Sequence, residues 1–366
     1  MEKSKVYFTD MRVDYSNNML VKFKKLLLNS NMLDMDFKDK FVALKIHFGE
    51  YGNLAFIKPN YIKIIADIIK QKGGYPFITD ASTLYSGTRS DAISHINTAE
   101  LNGFNTITTG CPIIIADGLK GNDYKEIEVD LKHCSTVKIG TAIMEADIVI
   151  SLNHFKGHEQ SGFGGALKNL GMGCGSKLGK LEMHSGTKPI IEGELCISCG
   201  LCEKNCNQRA ISIEKNAIIN YNKCVGCGEC IVVCPKNTIL QKEENQSKIL
   251  NEKIAEYTYG ILKDKQHFHI NFITNVSPNC DCFPANDMPI VPDIGITASF
   301  DPVAIDMASA DLVNKAPIIE NSLLGEISKN IIDDKFKCIH GNVDWESGLT
   351  YAEELKLGTK KYELIN

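Results

Sequence analysis

The chain has 366 residues, of which 43% are hydrophobic and 23% charged, and its formal net charge is −5. A chain of this size and composition can bury one or two ordinary globular cores, and its net charge gives no electrostatic reason to bind nucleic acid. The longest apolar runs are too short to span a membrane. No apolar signal segment precedes a cleavage site near the start, so we expect a cytoplasmic protein without membrane association.

Short apolar runs alternate with helical periodicity in the first 150 residues. The pattern predicts strands at residues 5–9, 41–47, 75–79, 112–116 and 146–152, and helices at 59–72 and 90–102. Pro59 stands at the start of the first of these helices, and Gly73 and Gly74 stand at its end. Strands that alternate with helices are typical of an α/β domain with a largely parallel sheet.

The sequence changes character between residues 153 and 188, which are rich in glycine and show little periodicity. We expect a long loop here, and such loops are uncommon unless they bind something. Glycine lets a ligand approach the backbone, histidine moves protons or ligates metal, and lysine holds anions or acts as a nucleophile. The predicted catalytic residues are His154, His158, Lys168 and His184, and the predicted cofactor-binding residues are Gly162, Gly164, Gly165, Asn169 and Cys174. The alternative is a solvated surface loop.

Eight of the fourteen cysteines form two runs with the same Cys-x2-Cys-x2-Cys-x3-Cys spacing. This is the spacing of bacterial-type ferredoxins that hold two 4Fe-4S clusters, in which the fourth ligand of each cluster comes from the other run. The predicted ligand sets are Cys196, Cys199, Cys202 and Cys234 for one cluster, and Cys224, Cys227, Cys230 and Cys206 for the other. Zinc also binds Cys-x2-Cys pairs but does not explain three equal steps with an exchanged fourth ligand. A disulfide framework is a further alternative.

The α/β pattern resumes after the cysteine runs, with a helix at 251–263, strands at 268–274 and 293–298, and a helix that opens at Asp301 and Pro302. We therefore predict an α/β fold with a mostly parallel sheet and an inserted α+β bacterial ferredoxin-like domain. The predicted division is 1–188, which includes the site loop 153–188, then 189–241 for the ferredoxin-like domain, then 242–366. Between the last two strands, Cys280 and Cys282 form a Cys-x-Cys pair that can bind a cofactor or metal, act as a redox dithiol, or be inert and buried.

Several motifs together resemble the domain-of-unknown-function 362 family. They are Thr79-Asp80 with Tyr85 and Arg89, the segment from His154 to His158, Gly162 to Gly165 with Lys168-Asn169, Cys280-Asp281-Cys282, Asp293-Ile294-Gly295, the segment from Asp301 to Ala304, and the closing segment from Gly358 to Leu364. Many members of that family carry the same ferredoxin insertion. The resemblance covers nearly the whole chain and implies a family rather than a reaction.

The chain also resembles, more distantly, lactate racemase of the nickel-pincer type, in which a lysine carries the pincer nucleotide and a histidine ligates nickel. That resemblance implies a cofactor anchor at Lys168, a metal ligand at His184 and a proton-handling partner at His158. Two departures favour a shared scaffold with different chemistry. Gly164 stands where the racemase has a serine, and Thr88 precedes Arg89 where the racemase has a catalytic histidine beside an arginine.

Three functional hypotheses follow from these observations. The first is an iron–sulfur oxidoreductase that passes electrons between a soluble donor or acceptor and a small molecule or cofactor at the Gly-rich loop. The second is a nickel-pincer-like enzyme of hydride or proton transfer, with a further metal or organic cofactor and with structural or regulatory clusters. The third is a non-enzymatic electron carrier. Oxygen-labile clusters in a chain rich in Lys, Ile and Asn suggest an anaerobe, and the oligomeric state stays open.

Overall fold

The computed structural model describes residues 2–85, 87–184, 188–206, 208–226, 229–236, 238–241, 245–327, 332–341 and 343–366. The strands within these residues are β1 (Ser4–Asp10), β2 (Phe41–Lys45), β3 (Tyr75–Asp80), β4 (Ile113–Ile115), β5 (Tyr124–Glu128), β6 (Thr136–Gly140), β7 (Ile148–His154), β8 (Lys156–His158), β9 (Gly162–Gly164), β10 (Pro189–Ile191), β11 (Ile211–Ile213), β12 (Ala217–Ile219), β13 (Ile239–Gln241), β14 (Gln266–Ile273), β15 (Gly295–Ser299) and β16 (Tyr362–Ile365).

The helices are α1 (Met19–Asn29), α2 (Pro59–Gln71), α3 (Ala92–Leu101), α4 (Thr106–Thr109), α5 (Thr141–Glu145), α6 (Ala166–Cys174), α7 (Lys177–His184), α8 (Leu201–Lys204), α9 (Glu229–Val232), α10 (Asn245–Leu262), α11 (Pro302–Lys315), α12 (Leu323–Ile327), α13 (Lys335–Ile339) and α14 (Trp345–Glu354). Single 3-10 turns lie at Met32–Asp34 and Gly193–Leu195. None of the helices in the described ranges is long and apolar enough to cross a membrane.

Eight strands form the central sheet in the order β16-β1-β15-β14-β7-β2-β3-β4. The run from β14 through β7, β2 and β3 to β4 is parallel throughout. Only β15 is antiparallel to its neighbours, β1 and β14, and β16 pairs parallel with β1. The sheet is therefore mostly parallel, and the predicted α/β class is confirmed.

Alternate residues of the central strands point to opposite faces of the sheet, and each face is covered by helices. Val42 and Leu44 of β2 belong to one buried cluster, together with residues of α1 and α2. Ala43 belongs to the other cluster, which includes residues of α6, α10 and α14. All seven residues of β7 are buried, as expected for a central strand with helices on both faces.

The predicted strands and helices outside residues 153–188 are confirmed, with end points that differ by a few residues. The largest difference is at α10, which begins at Asn245 rather than at residue 251. Helix α11 begins as predicted, with the Asp301 carboxylate accepting hydrogen bonds from the backbone N–H groups of Val303 and Ala304. The local signals for strands, caps and helix starts therefore agree with the tertiary structure.

The prediction of a long loop at residues 153–188 is wrong, because β7 continues to His154 and is followed by the β8–β9 hairpin, α6 and α7. Glycines in these helices serve close packing rather than turning. A Cβ atom on Gly171 of α6 would lie 2.2 Å from the carbonyl oxygen of Ile254 in α10. A Cβ atom on Gly179 of α7 would lie 2.5 Å from the carbonyl oxygen of Lys138. Tertiary packing thus overrides the low helix propensity of glycine.

The segment with the two cysteine runs leaves and rejoins the rest of the chain through one pair of strands. β10 and β13 pair antiparallel, with Pro189 opposite Gln241. Between them lie α8, the β11–β12 hairpin and α9. The segment has its own small apolar cluster, in which Ile211, Ile219 and Ile239 pack with Cys202 and Cys230.

Candidate functional site

The main cavity lies at the carboxyl ends of the parallel strands, where ligands bind in open α/β sheets. His47 follows β2, Asp80 ends β3, His154 ends β7, and Cys280 follows β14. The free volume of the cavity, counted with its open mouth, is about 980 Å³. The predicted site residues that line it are His154, His158, Gly164, Gly165, Lys168, Asn169, His184, Cys280 and Cys282.

Two predicted site residues lie outside this cavity. Gly162, whose φ is +83°, packs against the side chain of Trp345, and only residues that can adopt a positive φ fit there without strain. Cys174 is fully buried in the apolar cluster of α6 and α10, and burial raises the pKa of its thiol to about 12. Neither residue lines the main cavity, although Gly162 pairs with His158 in the β8–β9 hairpin and the Cys174 thiol lies 4.0 Å from the carbonyl oxygen of Asn169.

Helix α6 is held in place by a carboxylate from a distant helix. Asp306 of α11 accepts hydrogen bonds from the backbone N–H groups of Ala166 (2.7 Å) and Leu167 (3.0 Å), the first residues of α6. Gly165 makes this contact possible, because a Cβ atom there would lie 2.3 Å from Asp306 Oδ1. Burial raises the pKa of Asp306 to about 6. Local sequence gives no signal for this cap, because the carboxylate comes from a distant helix of the fold.

Lys168 and Asn169, on the first turn of α6, have different surroundings. Asn169 Oδ1 accepts a hydrogen bond from Lys45 Nζ (2.7 Å), and its Nδ2 donates to Asn153 Oδ1 (2.7 Å). The partly buried Lys168 side chain lines the cavity, and no hydrogen bond joins its ammonium group to another part of the described structure. Asn169 is therefore a fixed structural residue, whereas the Lys168 charge is available to a ligand.

The three predicted histidines differ in what their ring nitrogens contact. His154 places Nδ1 2.8 Å from the Asp281 carboxylate and donates from Nε2 to the carbonyl oxygen of Thr274 (2.7 Å). His158 Nδ1 accepts hydrogen bonds from the backbone N–H groups of Gln160 and Ser161, both at 3.1 Å. Burial, with the nearby Lys168 charge, lowers the pKa of His158 to about 3 and that of His184 also to about 3. Both His158 and His184 are therefore neutral imidazoles near pH 7.

Cys280 and Cys282 lie on one turn at the cavity wall. The N–H of Phe283 donates to the carbonyl oxygen of Cys280 (3.2 Å), which closes the turn. The two Sγ atoms and a ring nitrogen of His158 all lie within 4.8 Å of one another. A hydrogen bond from Cys282, followed by the charges of Lys168 and Lys156, lowers the pKa of Cys280. Within the pair, the thiolate is therefore favoured on Cys280 rather than on Cys282.

A buried cluster of charges, of which Asp80 and Arg89 line the cavity, was not predicted from the sequence. Asp80 lies 2.9 Å from Lys45 Nζ and 3.5 Å from Arg89 Nη1, and Arg89 Nε lies 3.0 Å from Glu50 Oε2. Buried charges are costly unless they are paired in this way. The sequence signal that indicates this cluster is a lysine at the end of the apolar strand β2 and an aspartate at the end of β3.

Other polar side chains on the cavity wall lack partners in the part of the chain that the structure describes. Both side-chain amide atoms of Gln160, which is 1% exposed, have no hydrogen-bond partner, and neither does the hydroxyl of Thr83. The same holds for Glu159 Oε2, and burial raises the pKa of Glu159 to about 8. Because buried polar groups are normally hydrogen-bonded, these residues indicate a polar ligand.

The cysteine runs line two further cavities. One is lined by Cys196, Cys199 and Cys202 of the first run together with Cys234 of the second. The other is lined by Cys224 and Cys230 of the second run together with Cys206 of the first. The predicted ligand Cys227 lies outside the described residues. Each cavity thus combines most of one run with the last cysteine of the other, and four thiolates on one small cavity suit an iron–sulfur cluster.

The cavity of Cys206, Cys224 and Cys230 adjoins the main cavity. Glu229, the first residue of α9, lines both of them. Among the described residues, Glu229 therefore stands in the wall between the second cysteine cavity and the candidate ligand site. Sequence reasoning did not identify this residue, because its role depends on how the inserted segment packs on the α/β part.

Comparison with known proteins gives similarities of two kinds. Pyruvate synthase subunit PorD from Thermotoga maritima is 40% identical over 62 residues, which are 16% of this chain and 62% of that protein. A ferredoxin from Pyrobaculum islandicum is 29% identical over 65 residues, 17% of this chain and 61% of that protein. The apoprotein of lactate racemase from Thermoanaerobacterium thermosaccharolyticum is similar in structure, with a TM-score of 0.35 and 12% identity, over 74% of this chain and 51% of that chain.

The chain thus spans less than two thirds of the length of each of these relatives. A family model described as Domain of unknown function (DUF362) matches residues 42–311. This match includes β2 to β15 and hence all the strands whose carboxyl ends surround the cavity. Because it covers well over half of the chain, the protein belongs to the DUF362 family.

Proposed function

We propose that this protein is an iron–sulfur oxidoreductase in which electrons from a soluble donor pass through two 4Fe-4S clusters to a small molecule or cofactor in the main cavity. The similarity to a ferredoxin and to PorD supports iron–sulfur electron transfer. The proposed electron-transfer unit is segment 189–241, inserted between the α/β parts 1–188 and 242–366. When bound, such clusters exchange single electrons at potentials set by their surroundings.

The arrangement of the cysteines supports two clusters with exchanged fourth ligands. Cys234 lies with the first run and Cys206 with the second. Thiolates in this number and spacing fit 4Fe-4S clusters. We expect about eight irons per chain in the intact protein, and a count of about four would contradict the second cluster.

The observation that carries the proposal is the position of Glu229. Its side chain lines both the cavity of Cys224 and Cys230 and the main cavity. This supports the cluster of the second run as the one that exchanges electrons with the bound molecule. An electron carrier without a substrate has no need of a cavity at this position that is lined by histidine, lysine and cysteine side chains.

The side chains of the main cavity support a small polar or anionic substrate. The Lys168 ammonium supplies a positive charge at the cavity wall, and the Gln160 amide and Thr83 hydroxyl supply unsatisfied hydrogen-bonding groups. His158 and His184, neutral because they are buried, are the proposed proton-handling groups. His154 has both ring nitrogens engaged, so its proposed role is to position Asp281 and the turn that bears the two thiols.

The proposal is tested by the reoxidation of reduced protein. The anaerobic holoprotein is reduced, freed of excess reductant and mixed with anionic two-electron acceptors in a stopped-flow spectrometer. Loss of a hydrogen bond from a charged group costs about 1.5–3 kcal/mol, so Lys168→Ala should slow reoxidation by about tenfold or more. Lys315→Ala, at the exposed end of α11, is the matched control. Equal rates for Lys168→Ala and the wild type with every acceptor would refute the proposed site.

A further inference from the structure

The Cys280–Cys282 turn is anchored at Asp281, the residue between its two thiols. The carbonyl oxygen of Asp281, between the two cysteines, accepts a hydrogen bond from the backbone N–H of Glu50 (2.9 Å). The Asp281 carboxylate lies 2.8 Å from His154 Nδ1 and 3.8 Å from Lys156 Nζ. Both sulfur atoms are consequently held on the cavity wall within 4.8 Å of each other.

The tautomer of His158 favours a thiol pair over a metal site at this turn. A neutral imidazole has one lone pair available as an acceptor. His158 uses that lone pair on Nδ1, which accepts the N–H groups of Gln160 and Ser161. Nε2 therefore carries the hydrogen and faces Glu159 Oε1 at 3.4 Å and the sulfur of Cys280. As a donor, His158 stabilises a thiolate instead of completing a set of three metal ligands.

The surroundings of this pair differ from those of three other free cysteines of the α/β part. Cys111, Cys134 and Cys174 are each 1% exposed or less and lie in apolar clusters, where thiols are inert. Cys280 and Cys282 line the main cavity together with Lys156 and Lys168. Positive charge next to a thiol favours the thiolate, which is the reactive form in disulfide chemistry.

We propose that Cys280 and Cys282 are a redox-active dithiol that closes to a disulfide. In its reduced form, the dithiol stores two electrons for transfer to a molecule bound in the main cavity. The proposal rests on the proposed function for the source of its electrons. In the reductive step, two single electrons that enter through the clusters break the Sγ–Sγ bond. One proton is taken up, which leaves one thiolate and one thiol.

In the oxidative step, the pair returns both electrons to an organic disulfide by thiol–disulfide exchange. One cysteine sulfur bonds to a sulfur of the acceptor and releases the first small thiol. The second cysteine sulfur then displaces the other small thiol and restores the protein disulfide. One proton from solvent joins the proton already held by the pair, so that two neutral small thiols leave.

The first test needs no variant. Anaerobic holoprotein is treated with oxidised glutathione, freed of it, denatured in iodoacetamide and mapped by mass spectrometry. The peptide that contains Cys280 and Cys282 should be unlabelled and lighter by two hydrogens, whereas Cys111 should be fully labelled. Full labelling of Cys280 and Cys282 after oxidation would overturn the proposal.

The second test measures how many electrons each chain takes up. The oxidised holoprotein is titrated with a low-potential one-electron donor, and a parallel sample is labelled as before. The wild type should take up two electrons per chain more than Cys282→Ser, and its Cys280–Cys282 peptide should become labelled. Cys174→Ser, with a buried thiol outside the cavity, is the matched control and should take up as many electrons as the wild type.

The outcomes separate the two proposals. If the clusters are reduced while the disulfide stays unlabelled and opens only with dithiothreitol, the dithiol proposal fails and the proposed function stands. If the clusters are absent or are not reduced, the proposed function fails. Reduction of the disulfide at an unchanged rate in cluster-deficient Cys230→Ala would also overturn the dithiol proposal, because the electrons would then bypass the clusters.

Discussion

Gly171 of α6 gives a prediction in which two physical effects have opposite signs. In an exposed helix, alanine is more stable than glycine by about 1 kcal/mol, so propensity alone predicts that Gly171→Ala stabilises the protein. The structure predicts the reverse. The new Cβ atom would lie 2.2 Å from the carbonyl oxygen of Ile254, so α6 would have to retreat from α10 by about 1 Å to restore an ordinary contact.

The expected loss of stability follows from the packing and the hydrogen bonds that this displacement of α6 would disturb. Overpacking costs about 1–3 kcal/mol. The bonds from Asn169 to Lys45 and Asn153, both at 2.7 Å, would stretch beyond hydrogen-bonding distance and cost about 1 kcal/mol each. After the helix propensity is subtracted, we expect a net loss of about 3 kcal/mol. For a chain of this size, that lowers the melting temperature by about 4 °C.

The assay is thermal unfolding followed by circular dichroism, under anaerobic conditions and with protein samples of equal iron content. Gly341→Ala is the matched control, because a Cβ atom there meets nothing within 4 Å. The control should melt within about 1 °C of the wild type, as surface substitutions usually do. A melting temperature of Gly171→Ala equal to or above that of the wild type would refute the packing explanation for the glycines of α6.

Two further predictions concern the cysteine cavities and the buried acid. Because Cys234 lies with the first run, Cys234→Ala and Cys199→Ala should disrupt the same cluster and leave the same electron paramagnetic resonance signal. Cys224→Ala should disrupt the other cluster and leave the other signal. Identical spectra for Cys234→Ala and Cys224→Ala would contradict the exchange of ligands. The Glu159 carboxyl has a pKa of about 8 in the folded chain against an ordinary 4.5, so its contribution to stability is full below pH 4.5 and is lost as the pH rises through 8. Glu159→Gln cannot ionise, so its free energy of unfolding relative to the wild type should rise by about 1.4 kcal/mol per pH unit between pH 5 and pH 8 and then level off. Melting temperatures measured across this pH range should show the same rising difference. A difference independent of pH, as expected for the exposed control Glu100→Gln, would show that this carboxyl is not buried as described.

The strands and helices whose signals lie within a few neighbouring residues could be predicted from the sequence. Pro59 and Asp301 marked helix starts that the structure contains, and the alternation of strands and helices identified the parallel sheet. The histidines, Lys168 and the Cys-x-Cys pair were identified one by one, and the fold brings most of them to one cavity.

The features that escaped prediction depend on contacts between distant residues. Gly171 of α6 was assigned to a loop, because its packing role is visible only when α10 lies against it. Asp306 gives no local sign of the helix that it caps, and Glu229 gives none of the two cavities that it separates. No periodicity or motif within one segment shows which distant part of the chain that segment will contact in the folded protein.

The pairing of β10 with β13 has a consequence for the ancestry of this protein. Pro189 lies opposite Gln241, so the ends of the intervening segment are only about one strand spacing, roughly 5 Å, apart. A gene fragment spliced in at this point would need to change neither the order of the central sheet nor any strand on either side. Loss of the fragment would require only a short turn to close the gap. The scaffold can therefore gain or lose this segment in a single genetic event without a change in the central sheet, but the part of the cavity wall formed by Glu229 is gained or lost with it.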